Sequence, residues 1–112
     1  MVNISLIVLN CDREKYIKDC LLSCFNQGTK YSFEIILVDD GSKDRSLEIA
    51  KSLKKKNYFI YTKKNTGIEK SSNLGFSMAN GEYVARIDSD DLLNRDYLKN
   101  IMRPFKRNIS FV

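Results

Sequence analysis

A chain of 112 residues that is 43% hydrophobic can close one core but not two, so a single α/β unit over residues 1–112 is expected. Three cysteines without C-x-x-C spacing, and no histidine at all, exclude a disulfide framework and argue against zinc. The formal charge of +5 admits an anionic membrane surface or nucleic acid as partner, but no aromatic residues interleave with the lysines, which argues against nucleic acid.

The first element is Ile4-Ser5-Leu6-Ile7-Val8-Leu9, a near-continuous apolar run of the kind buried on both faces of a parallel sheet. Its apolar core is too short to cross a bilayer or to act as a signal peptide, so a cytoplasmic protein is expected, with peripheral contact at the inner face of the membrane. Ile17, Cys20, Leu21, Cys24 and Phe25 then recur at helical spacing, with Gly28 as the expected terminator and both thiols on the buried stripe. Phe33-Glu34-Ile35-Ile36-Leu37-Val38 reads as the second strand, turning at Asp39-Asp40-Gly41-Ser42, after which Asp44 is placed to cap a helix carrying Leu47, Ala50 and Leu53. Tyr58-Phe59-Ile60-Tyr61-Thr62 is the third strand. The loop 63–67 leads into a helix whose inner face is expected to carry Ile68, Ser71, Ser72, Gly75, Met78 and Ala79, small enough on average to lie close to the sheet. A fourth strand ends at Asp88, a fourth helix begins near Asn94 with Leu98, Ile101, Met102 and Phe105, and Ile109–Val112 is a candidate fifth strand. The order β-α-β-α-β-α-β-α-β predicts a doubly wound, mostly parallel, Rossmann-like sheet.

Acidic residues collect at one edge of that sheet. Asp12 follows the first strand, Asp39 and Asp40 the second, and Asp88, Asp90 and Asp91 the fourth. Ligands of open α/β sheets bind beyond the carboxyl ends of the strands, where strand order reverses. In extended geometry Asp88 and Asp90 project to one side roughly 6.5 Å apart and repel unless neutralised. A hard divalent ion, Mg²⁺ or Mn²⁺, relieves this, and such ions commonly share their coordination with phosphate oxygens. An isolated D-x-D is often no more than a solvated turn; its place at a strand end is what raises it to a candidate metal-diphosphate site. The chain has neither G-x-G-x-x-G after its first strand nor a P-loop, so phosphate is not held by a glycine-rich cradle.

Taken together, Ile4 to Asn10, Val38-Asp39-Asp40-Gly41-Ser42, Asn65-Thr66-Gly67, Asn73-Leu74-Gly75, Gly81-Glu82-Tyr83 and Asp88-Ser89-Asp90-Asp91 resemble the N-terminal, nucleotide-sugar-binding half of a family 2 glycosyltransferase of GT-A fold. The resemblance implies a nucleotide-diphosphate sugar donor, normally a UDP-sugar, bound through Mn²⁺ or Mg²⁺ and transferred with inversion to a saccharide, lipid or protein acceptor. It implies that Asp40 accepts a hydrogen bond from the uracil imide with Asp39 beside it. The backbone of Leu9 and Asn10 and the side chain of Asp12 would border the base, and Ser89 would belong to the same donor-binding set. Asp88 would lie near ribose and metal, Asp90 would coordinate the ion, and Asp91 would support it. Two positions depart from the pattern: Cys11 stands where an aromatic is common, and Ser72 where an arginine is common.

Family enzymes continue well beyond this length, so the chain is expected to stop before the acceptor-binding half, with the catalytic base outside it. Transfer by these 112 residues alone is then expected to be negligible, and the sheet edge at Ile109–Val112 open to self-association. Two other readings remain: a non-catalytic nucleotide- or metal-binding module, and a receiver-like domain. The latter fits poorly, because Thr62-Lys63-Lys64 occupies the place of a phospho-acceptor aspartate.

Overall fold

Strand β1 (Ile4–Asn10) is buried along its whole length and β2 (Phe33–Asp40) along all but its first residue, as expected of central strands covered on both faces. In the computed structural model, which describes residues 2–103, they are joined by β3 (Tyr58–Lys63) and β4 (Tyr83–Asp88) in one all-parallel sheet of order β3-β2-β1-β4. The chain runs outward from β1 through β2 to β3, then returns to place β4 on the other side of β1. The reversal puts the ends of β1 and β4 side by side, with Leu9 opposite Asp88.

Side-chain alternation divides the core into two layers. Ile4, Leu6, Val8, Ile35 and Leu37 face helices α1 (Ile17–Phe25), α2 (Ser46–Ser52) and α4 (Tyr97–Ile101), with Ile17, Leu21, Ala50 and Leu98 fully buried among them. Ile7, Leu9, Ile36 and Val38 face the opposite side, where α3 (Ile68–Met78) packs across β1 and β2. Close approach of α3 depends on Gly75, because a Cβ there would lie 2.3 Å from Ile7 Cγ2. Among the described residues nothing comparable covers β4 on that side, and Val84, Arg86 and Asp88 alternate to the outside.

Four of the five expected strands are present, and β1, β2 and β4 carry acids at their carboxyl ends as anticipated, while β3 ends in Lys63. Asp44 accepts the Ser46 N–H at 2.9 Å and so caps the start of α2. Three helix expectations are corrected. Ile68 and Met78 are 51% and 38% exposed, not inward-facing, because α3 buries only the narrow stripe Ser71, Ser72 and Gly75. Helix α1 ends at Phe25 without using Gly28, which instead donates its N–H to Arg95 O. Helix α4 begins at Tyr97, since Asn94 is spent accepting the Asp96 N–H on its side chain. Phe105 and the expected strand Ile109–Val112 lie outside the described residues. No helix among the described residues is long and apolar enough to cross a membrane.

One carboxylate sits inside the sheet at its amino edge. Glu34, 2% exposed, accepts from Ser5 Oγ at 2.5 Å and from the Asn80 N–H at 2.7 Å, while Ser5 Oγ in turn accepts the Gly81 N–H at 2.8 Å. Burial pushes the Glu34 carboxyl up, but the bonds from Ser5 and Asn80 outweigh it and hold its pKa below the ordinary value. A depressed folded pKa contributes stability that is present above the unfolded value and lost as pH falls through the folded one. Chemical denaturation of E34Q should therefore show a loss of about 1–3 kcal/mol at pH 7, from donors left badly paired, and a smaller loss at pH 3. An equal deficit at both pH values would show that the charge of Glu34 is irrelevant.

Candidate functional site: a cleft at the carboxyl edge of the sheet

The carboxyl ends of β1, β2 and β4 are tied together by one side chain. The amide of Asn10, 2% exposed, donates to Asp39 Oδ1 at 2.8 Å and Ser46 Oγ at 2.9 Å, with Ser42 Oγ at 3.2 Å, and its oxygen accepts from Ser89 Oγ at 2.7 Å. The Ser89 N–H also donates to Leu9 O at 3.0 Å, so the residue after β4 is fixed against β1 by main chain and side chain together.

After β2, Gly41 takes φ +68, a left-handed conformation at a point where a Cβ would sit 2.8 Å from Asn65 N. Asp39 closes this turn by accepting Ser42 Oγ at 2.6 Å and Ser42 N–H at 3.0 Å. Asp12, itself at φ +53, accepts the N–H groups of Lys43 and Asp44 at 2.6 and 3.1 Å and so fastens the β1–α1 loop to the same turn. These two acids are spent on backbone geometry, and neither lines the central cleft.

Asp40 points to the other face. Its Oδ1 accepts from Lys63 Nζ at 2.5 Å and the Thr66 N–H at 3.0 Å, and its Oδ2 from the Gly67 N–H at 3.1 Å. Burial pushes the Asp40 carboxyl up, yet these three donors together bring its pKa below the ordinary value. Lys63 also donates to Lys64 O at 3.0 Å and to Thr66 Oγ1, so the ion pair holds the whole loop that opens α3. Lys63 stands out only once the strands are paired, because its role depends on register: it lies directly opposite Asp40 in the β2–β3 ladder.

Asp88, Asp90 and Asp91 are exposed, and one carboxylate oxygen from each lies within 4.8 Å of the others. The turn that gathers them is closed by the Asp91 N–H on Asp88 O at 3.0 Å and the Asp88 N–H on Asp91 Oδ2 at 3.2 Å. Arg13 Nε stands 3.7 Å from Asp90 Oδ2, with its guanidinium steadied by Cys11 O and Asp12 O at 3.3 and 3.4 Å. Cys11, by contrast, is kept a neutral thiol: partial burial raises its pKa, and the negative charges of Asp12, Asp40 and Asp39 raise it further.

Between these groups lies a cleft of about 200 Å³. Leu9, Asn10 and Cys11 line it from β1, Asp40, Ile68 and Ser71 from one side, and Arg13, Asp88, Ser89 and Asp90 from the other. It therefore combines a carboxylate held by a lysine with exposed carboxylates of the acidic cluster, at the point where strand order reverses.

The family model described as glycosyl transferase family 2 matches residues 5–112. The chain belongs to that family. It is 39% identical over 102 residues to EpsH of Bacillus subtilis (strain 168), a match covering 89% of this chain and 29% of EpsH. It is 36% identical over 104 residues to the poly(ribitol-phosphate) beta-N-acetylglucosaminyltransferase TarS of Staphylococcus aureus (strain Mu50 / ATCC 700699), covering 89% of this chain and 18% of TarS. The crystal structure of S. aureus TarS 1-349 in complex with UDP superposes with a TM-score of 0.85 at 34% identity, over 95% of this chain and 32% of that one. The same fragment in complex with UDP-GlcNAc gives the same values. Family, GT-A-type fold and α/β class thus agree with the resemblance read from the motifs, and the chain spans 29% of EpsH and 18% of TarS, well under half of either relative.

The division of acids into buried, turn-closing groups and exposed ones is measurable. D39A should lose about 1–3 kcal/mol in denaturant titration, since the turn after β2 loses the acceptor of the Ser42 N–H and hydroxyl and Asn10 loses one of its three acceptors. D90A, which removes one of three crowded exposed charges, should unfold within about 0.5 kcal/mol of the wild type. A reversed order would show that Asp39, not Asp90, is the dispensable group.

Proposed function

We propose that this chain is the donor-binding part of an inverting glycosyltransferase and takes the nucleoside diphosphate of a UDP-sugar into the cleft between Asp40 and Asp90. The observation that carries the reading is the placement of three exposed carboxylates at the strand-order reversal, in a fold shared with TarS, whose structures contain UDP and UDP-GlcNAc. Three carboxylates with oxygen atoms within 4.8 Å of one another suit Mg²⁺ or Mn²⁺, hard ions that prefer such donors. In this reading Asp90 and Asp88 hold the ion and Asp91 supports it. The ion, when bound, supplies positive charge where the departing diphosphate gathers negative charge.

The remaining assignments concern the chain's own groups. Asp40 keeps one acceptor position on Oδ2 after its three donors are counted, which suits an imide N–H. Leu9, Asn10 and Ser89 form the cleft floor under the nucleoside. Asp39 and Asp12 serve the donor indirectly, by fixing the turn that presents Asp40 and the loop that presents Arg13. Acceptor choice, the base that deprotonates the acceptor hydroxyl, and a place in polysaccharide or cell-envelope synthesis are matters of the whole enzyme, and this chain matches only 29% of EpsH and 18% of TarS.

Calorimetry checks the donor reading directly. UDP should bind more tightly with Mn²⁺ than without it, and at a hundredfold its dissociation constant should stabilise the fold by about 2.7 kcal/mol. D90A should abolish the Mn²⁺ dependence, and CDP should bind more weakly than UDP because it presents no imide N–H to Asp40. Metal-independent UDP binding, or equal affinity for UDP and CDP, would defeat the corresponding assignment.

A further inference from the structure

Serines inside helices usually return their hydroxyl to a backbone carbonyl one turn earlier. Ser23, Ser52 and Ser77 do so here, donating to Cys20 O, Ile49 O and Leu74 O at 2.6, 2.6 and 2.7 Å. Ser71 does not. It is 1% exposed, its Oγ has no hydrogen-bond partner, and it lines the cleft one turn before Gly75, where α3 lies closest to the sheet. An unpaired buried hydroxyl is a net cost to the free protein. The first turn of α3 also adjoins Asp40, which holds the Thr66 and Gly67 N–H groups that precede the helix.

We propose that Ser71 reads the nucleotide base: its hydroxyl donates to a ring carbonyl oxygen of uracil whose neighbouring imide N–H faces Asp40. This rests on the donor reading given above and adds a residue to it. Asp40 supplies an acceptor and Ser71 a donor, and uracil presents the complementary pair, an N–H beside a carbonyl. Cytosine turns an acceptor nitrogen toward Asp40 and so mismatches the pair. Ser71 is a specificity-determining group at the base, remote in role from the carboxylates assigned to the diphosphate end.

The test is S71A against wild type, with Mn²⁺ present, titrated with UDP and with inorganic pyrophosphate, together with thermal unfolding of the ligand-free proteins. S71A should bind UDP weaker by on the order of tenfold, the loss of one buried neutral hydrogen bond, and should bind pyrophosphate as wild type does. Its ligand-free melting temperature should equal or exceed the wild-type value, since the substitution removes an unpaired polar group and places a good helix former in α3. Unchanged UDP affinity overturns the proposal, as do parallel losses for UDP and pyrophosphate or a lowered melting temperature. Wild type that binds pyrophosphate with Mn²⁺ but gains nothing from the uridine moiety overturns the base reading as well, whereas wild type binding neither ligand overturns the donor reading itself.

Discussion

The buried amide of Asn10 is the constraint on which the carboxyl edge depends. A parallel sheet leaves its strand ends as separate loops, and each loop must be fastened before side chains on it can define a pocket. Asn10 reaches the end of β2 through Asp39, the start of α2 through Ser46 and the end of β4 through Ser89. Because an amide offers two donors and an acceptor in one plane, it can bridge a carboxylate and hydroxyls without adding charge. A fully satisfied buried network of this kind rigidifies its surroundings, and a half-satisfied one destabilises them.

That fastening allows the acids to be used differently although they are the same residue type. Asp39 and Asp12 accept from backbone N–H groups and hydroxyls in the turn, and Asp40 accepts from a lysine and a helix-leading loop. Asp88, Asp90 and Asp91 instead face solvent at the end of β4 and in the turn after it, with the half-exposed Arg13 beside Asp90 and the Asp88 N–H on Asp91. An ion pair between groups that exposed contributes little to stability, so Arg13 leaves Asp90 available to a more strongly charged partner.

The strands and their order of appearance were legible because burial on both faces writes a continuous apolar run, and β1 and β2 are the longest such runs in the chain. The βα alternation implied a doubly wound sheet without saying where its order reverses; that reversal lies between β2 and β4 on either side of β1, and the register brings Leu9 to Asp88. Helix faces were less legible. Ile68 and Met78 fit the periodicity of an inner stripe, but the contact surface of α3 is narrowed by Gly75, and large residues flanking so close an approach are forced outward. Among the acids, composition identified the cluster but not its division of labour. Asp39 and Asp40 are adjacent, and strand alternation sends them to opposite faces, one into the turn and one into the cleft. Lys63, Arg13 and Ser71 were hidden for a similar reason: each acquires its role from a neighbour distant in sequence.

The cleft is assembled from groups that do the folded chain no favours on their own. Three carboxylates crowd one turn, a helical serine leaves its hydroxyl unpaired, and Gly41 is held in a left-handed turn beside Asn65. The rest of the edge supplies the rigidity that keeps these groups in place, through Asn10, Asp39, Asp12 and the Lys63–Asp40 pair. A sequence optimised for stability alone would relax the first set and keep the second. Their coexistence on one edge of one sheet, with the apolar layers of β1 and β2 beneath, is what separates a binding surface from a merely polar one.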